Sequence, residues 1–75
     1  MNEERRKKIK EALDKLSDVK DLIDQTKEEE QAAFDNLPEG LQASEQGVRM
    51  EEIIGVLEEA SETCDGIDTE LGSLI

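Results

Sequence analysis

The sequence predicts an all-α fold: an antiparallel helical hairpin of two long helices meeting along a coiled-coil-like seam. Three observations carry this prediction. Apolar residues recur at alternating spacings of three and four in both halves of the 75-residue chain. A single break bearing Pro38 and Gly40 separates the halves. The two runs then fold onto each other about that break.

The first run is Ile9, Ala12, Leu16, Val19, Ile23, Thr26, Glu30, Ala33 and Leu37, which places one helix at about residues 3–36. Proline disfavours helical geometry at the residue before it, so this helix ends beside Leu37-Pro38. The segment 37–43 reads as a turn with Pro38 at its second position and Gly40 at its fourth. Ser44 is the expected N-cap of a second helix over about 44–74, with Glu45 facing the positive end of its dipole. Its run is Met50, Ile53, Leu57, Ala60, Cys64, Ile67, Leu71 and Leu74, without a charged member. Facing residues in such a hairpin have numbers with a constant sum. A sum of 83 pairs Leu16 with Ile67, Val19 with Cys64 and Ile23 with Ala60. The midpoint then falls between Leu41 and Gln42, inside the turn read from Pro and Gly.

Apolar residues beside the seam, Leu13, Leu22, Phe34, Ile54, Val56 and Ile75, make the apolar face wider than two helices can cover. A chain this short also builds only a marginal core. A homodimeric four-helix bundle is therefore the expected assembly, with a monomer, or a bundle completed by another protein, as the alternatives.

Charge is the second theme. There are 21 Asp and Glu against 9 Lys and Arg, a net charge of −12, and a single aromatic residue, Phe34. Such a composition is common in disordered chains, but disorder gives no reason for a sustained heptad register. The acids are sorted as well as numerous. Asp14, Asp21, Glu28 and Asp35 recur every seven residues on the first helix, and Glu51, Glu52, Glu58, Glu59, Glu62 and Asp65 form a ridge on the second. Residues 1–27 hold 8 bases and 7 acids, whereas residues 28–75 hold 1 base and 14 acids. Three readings stand: a solubilising face, a surface that imitates nucleic-acid phosphates before a basic partner, or weak divalent-ion binding.

Several functions are disfavoured. There is no His, hence no common general base or imidazole ligand, and a lone Cys makes neither an internal disulfide nor a thiolate zinc site. No catalytic residue, cofactor site or metal site is expected, and the absence of a paired cysteine fits a reducing, cytoplasmic setting. No apolar run suits a membrane span. The basic stretch Arg5, Arg6, Lys7, Lys8 and Lys10 lacks interleaved aromatics for base stacking, so direct nucleic-acid binding is not expected. Neutralisation by Asp68, Glu70 and the nearby helix C-terminus is expected instead. Glu30 is the odd seam residue, and pairing with Arg49 would fix the hairpin register. Cys64 is expected to be a small buried residue, and Gly55 and Gly66 to be tolerated on the outer face.

Residues 28–45, Glu-Glu-Glu-Gln-Ala-Ala-Phe-Asp-Asn-Leu-Pro-Glu-Gly-Leu-Gln-Ala-Ser-Glu, carry a motif of the form Asp-Asn-Leu/Met-Pro-Glu-x-Leu-Gln. The chain resembles, over about residues 28–60, small acidic helical proteins encoded by bacteriophages and prophages that share this motif. Those proteins continue Ser-Glu-Arg-Gly where this chain has Ser44-Glu45-Gln46-Gly47, so no role of that arginine carries over. The resemblance implies a phage origin, and phage proteins of this size and acidity often bind and disable a host protein, including defence nucleases. In the motif itself, Leu37 and Leu41 are expected to fold over the seam near Phe34, while Asn36 satisfies freed carbonyls at the helix end. The functional expectation is a non-enzymatic module that binds a basic host protein through its acidic ridges. A purely structural bundle and an oligomeric sponge for a nucleotide signal are the rivals.

Overall fold

The computed structural model describes residues 1–75 as three helices: α1, Glu3–Asp35; α2, Glu39–Gln42; and α3, Glu45–Gly72. There are no strands. The long helices α1 and α3 lie side by side, giving a rod of 58 × 15 × 12 Å. At about 1.5 Å per residue a 33-residue helix spans roughly 50 Å, so the length of α1 sets the length of the molecule.

Each helix begins where a side chain can satisfy a free amide. The Asn2 Oδ1 accepts from the Arg5 N–H at 2.9 Å, and Glu3 and Glu4 fill the first turn of α1. The Ser44 hydroxyl oxygen accepts from the Gly47 N–H at 3.4 Å while its own proton goes to the Leu41 carbonyl. The expected cap is therefore present.

The connection is more ordered than the expected turn. Pro38 is followed by a single helical turn, closed by the Leu41 N–H donating to the Pro38 carbonyl at 2.8 Å. Pro38 caps this turn instead of sitting inside a Pro-x-Gly β-turn, and Gly40 keeps a negative φ. The carbonyl of Phe34 accepts both the Leu37 N–H at 3.1 Å and the Gln42 side-chain amide at 3.2 Å. Gln42, and not the Asn36 side chain, thus satisfies the end of α1; its longer side chain reaches back across the connection from α2. Leu37 is half-buried as expected, but Leu41 stays exposed.

The seam of α3 follows its predicted register: Met50 and Cys64 are buried, and Ile53, Leu57, Ala60 and Leu71 half-buried. Ile67 and Leu74 are exposed. On α1, five of the nine expected positions hold: Ile9, Leu16, Ile23, Glu30 and Leu37 are half-buried. The other four move by one residue. Ala12, Val19, Thr26 and Ala33 are exposed, and Leu13, Lys20, Lys27 and Phe34 take their places. The spacing stays at three and four in either frame. The frame adopted gains two large side chains and two lysine stems, which lie on apolar surface while their ammonium groups reach solvent. Thr26 turns its hydroxyl to the Leu22 carbonyl of its own helix at 2.7 Å.

Three residues of 75 are buried, and two of them are side chains of the core. The third is Gly47, in the first turn of α3, where the backbone of α2 passes directly over it. A Cβ at Gly47 would stand 2.8 Å from Gln42 Cα and closer still to its carbonyl group. Gly55 and Gly66 have open space where a Cβ would go, as the sequence suggested. The three glycines therefore separate in a melting experiment. Gly55→Ala and Gly66→Ala should each stabilise by about 0.5–1 kcal/mol, the helix-interior cost of glycine. Gly47→Ala should destabilise by about 2 kcal/mol or more through overpacking against backbone. A neutral Gly47→Ala would show that α2 does not lie against α3.

Candidate functional site

Nothing in the chain forms an enclosed site. The concave region nearest to one is an open polar groove along α1, lined by Asp24, Lys27, Glu28, Gln31, Ala32 and Asp35. No three acidic or thiol side chains converge to hold a metal ion. No helix is long and apolar enough to cross a membrane. The candidate functional surface is therefore a face, and its position follows from how α1 and α3 are keyed together.

Three polar contacts join the helices. The Ser61 hydroxyl donates to Asp24 Oδ1 at 2.6 Å. Lys20 Nζ donates to Asp24 Oδ2 at 3.0 Å within α1 and lies 3.7 Å from Asp65. Lys27 lies 3.9 Å from Glu58. Each cross-helix pair has residue numbers totalling 85, two more than the sum expected for the seam. That places the fold of the hairpin between Gln42 and Ala43, one residue from the expected midpoint. The Ser61 hydroxyl and then the Lys20 ammonium hold the Asp24 carboxyl below its ordinary value. The hydrogen bond to Asp24 is the main cause that raises Lys20.

All three contacts lie along one side of the seam, because Lys20, Asp24 and Lys27 follow one another at helical spacing and meet Asp65, Ser61 and Glu58 in reverse order. The acidic columns lie on that same side. On α1, Asp14, Asp21, Glu28 and Asp35 each stand three or four residues from Asp24 or its heptad equivalents. On α3, Glu51, Glu58 and Asp65 make a matching heptad column. Seven carboxylates thus share one long face of the rod, about 10.5 Å apart along each column. All seven are exposed. Glu58 and Asp65 answer the two lysines, and Asp35 accepts from Gln31 at 3.0 Å.

The predicted α3 ridge is split by this arrangement. Helical spacing sends Glu52 and Glu59 round to the opposite flank and Glu62 to the back of the helix, although all three are exposed. The expected Glu30–Arg49 pair is not formed. Arg49 is exposed and turns to Glu52, one turn along its own helix, at 3.2 Å; a partner three residues away on the same surface is nearer than one across the seam. Nor do Arg5, Arg6, Lys7, Lys8 or Lys10 form ion pairs with Asp68 or Glu70. All are exposed, toward the end of the rod opposite the turn. Sequence reasoning missed Asp24, Ser61, Lys20 and Lys27 as the residues that key the two helices. The available signal was the pairing of their numbers about the turn.

The other side of the seam has no such ladder. It presents Ala12, Val19, Thr26 and Ala33 from α1 and Val56 and Thr63 from α3, with Leu22 at its edge. Leu22 and Val56, expected at an oligomer interface, are 63% and 65% exposed. Leu13, Phe34 and Ile54, expected there too, are instead half-buried within the hairpin, because the shifted frame of α1 draws the first two inward.

The Asp24 rung has a defined pH signature. Its carboxyl is lowered in the folded chain, so its stabilisation is present above the ordinary carboxylate value near 3.8 and is lost as pH falls through the folded value. The difference in melting temperature between wild type and Asp24→Asn should therefore be constant near neutral pH and shrink below about pH 4. Taking the difference removes the effect of the other acids, which protonate in both proteins. A gap that persists at pH 2 would show that the stabilisation does not depend on the ionised carboxylate.

No family model matches the chain, and neither the curated proteins nor the solved structures searched contain a match.

Proposed function

We propose that this chain is a non-enzymatic protein-binding module that presents its seven-carboxylate face to a basic surface of a host protein. The observation that carries this is the convergence of two heptad columns, Asp14, Asp21, Glu28 and Asp35 with Glu51, Glu58 and Asp65, on the side of the hairpin keyed by Asp24 and Ser61. Regularly spaced negative charge on a straight, narrow rod is the feature by which a protein can occupy a groove shaped for nucleic acid. Basic grooves of that kind belong to proteins that handle DNA or RNA. The role assigned is inhibition of such a host enzyme, in the cytoplasm of the infected cell. The resemblance to phage-encoded proteins supports the setting. The missing His and the buried Cys64 leave little for catalysis to use.

The assembly assigned is a homodimeric four-helix bundle. It is supported by the thin core of the single hairpin and by the exposure of Leu22 and Val56 on the face away from the acids. A bundle whose acids only solubilise is the second reading, and the same exposed residues favour it.

A salt-stepped pull-down from bacterial lysate separates the two. The module should capture a basic protein at low salt and release it as screening increases, and duplex DNA should compete for the captured protein. Replacing Asp14 and Asp21 by Asn and Glu28, Glu51 and Glu58 by Gln should lower capture roughly ten-fold or more. Undiminished capture by that variant would leave the acids as solubilising groups.

A further inference from the structure

We infer that two copies pack through the ladder-free face in opposite directions, with the two-fold axis crossing near Leu22. The inference rests on the bundle assigned above and specifies its interface and its polarity.

The area calls for a cover of this size. A compact monomer of 8.4 kDa exposes about 4,600 Å², whereas this chain exposes 5616 Å². The excess, about 1,000 Å², matches the roughly 800 Å² that each partner contributes to a standard interface. The ladder-free face is where large apolar side chains remain uncovered, Leu22 and Val56 foremost.

Charge selects the occupant and its direction. Cut at the Lys20–Asp65 rung, the tail end of the rod (residues 1–20 and 65–75) has seven bases and eight acids, net −1. The turn end (residues 21–64) has two bases and thirteen acids, net −11. Copies running in the same direction place −11 beside −11. Opposed copies place −11 beside −1.

The α1 column on the face itself agrees. On α1, Lys15, Leu22 and Glu29 stand seven residues apart. Reversal about Leu22 sets Leu22 on the partner's Leu22 and Lys15 on the partner's Glu29. On α3, Arg49, Val56, Thr63 and Glu70 form the corresponding column. The cross-helix contacts Asp24–Ser61 and Lys20–Asp65 set residue 22 level with residue 63, so the axis at Leu22 crosses this column at Thr63 and sets Thr63 on the partner's Thr63. That one axis reverses α1 about Leu22 and α3 about Thr63, as an isologous two-fold interface requires. The acidic face is left outward on both copies.

Two measurements test this without any binding partner. Sedimentation of the unmodified chain should give a mass twice 8.4 kDa, and spin labels at Ala33→Cys in a Cys64→Ala background should lie beyond about 30 Å. Ala33 is about eleven residues from the axis on each copy, at about 1.5 Å per residue. A dimer with labels closer than about 20 Å would overturn the direction and leave the bundle standing, and a monomer would overturn both. Neither result touches the acidic-face reading. Zero-length amine–carboxyl cross-linking of a mixture of isotopically light and heavy unmodified chains guards against a misfolded variant. Lys15 and Glu29 are about 21 Å apart along one helix, so their cross-link should be found joining light to heavy chains. Its absence would likewise overturn the opposed packing.

Discussion

A single directed contact organises the rest of this molecule: the Ser61 hydroxyl donating to Asp24 across the two long helices, with Lys20 on the other carboxylate oxygen. Apolar packing alone can slide along a seam of Leu, Ile and Val, and it can rotate between adjacent frames. A short hydrogen bond between one residue on each helix opposes both, by about 1 kcal/mol. It rotates α1 so that Lys20 and Lys27 lie against α3 and Val19 and Thr26 do not. Seven carboxylates are thereby placed on one side of the rod, and Val19, Leu22, Thr26 and Val56 on the other.

The same rotation explains why the two halves were unequally legible in the sequence. The seam of α3 is made of residues that announce themselves, from Met50 to Leu71. On α1 two heptad frames compete, and counting apolar residues favours Val19 over Lys20. The structure favours the lysine, because its stem covers apolar surface while its ammonium group meets Asp24 and Asp65. Leu13 and Phe34 were visible as apolar residues beside the seam but are claimed by the hairpin itself. Glu30 and Arg49 were close enough to suggest a pair, yet Glu52 is nearer to Arg49 along its own helix.

The connection was legible in outline and not in mechanism. Pro38 and Ser44 mark the ends of the helices for reasons that require no tertiary information. Gln42 reaching back to the Phe34 carbonyl, and the backbone of α2 lying on Gly47, depend on where the chain goes after it turns. A glycine in the first turn of a helix, where a cap is already supplied by Ser44, was the available sign of a close approach. The segment 35–47 is first a device for joining two long helices tightly, since Pro38, Gln42, Ser44 and Gly47 each have a structural task.

What emerges is a two-faced rod, with an acidic ladder where the helices are keyed and exposed Leu22 and Val56 among charged columns where they are not. The central claim is that the ladder-free side is covered by a second copy and the acidic side is left free. Isotope-filtered nuclear Overhauser spectra of mixed labelled and unlabelled chains test it most directly. The account predicts cross-chain contacts from the methyl groups of Val19, Leu22 and Val56, and none from Ile54 on the acidic side. Cross-chain contacts at Ile54 with none at Leu22 would contradict it.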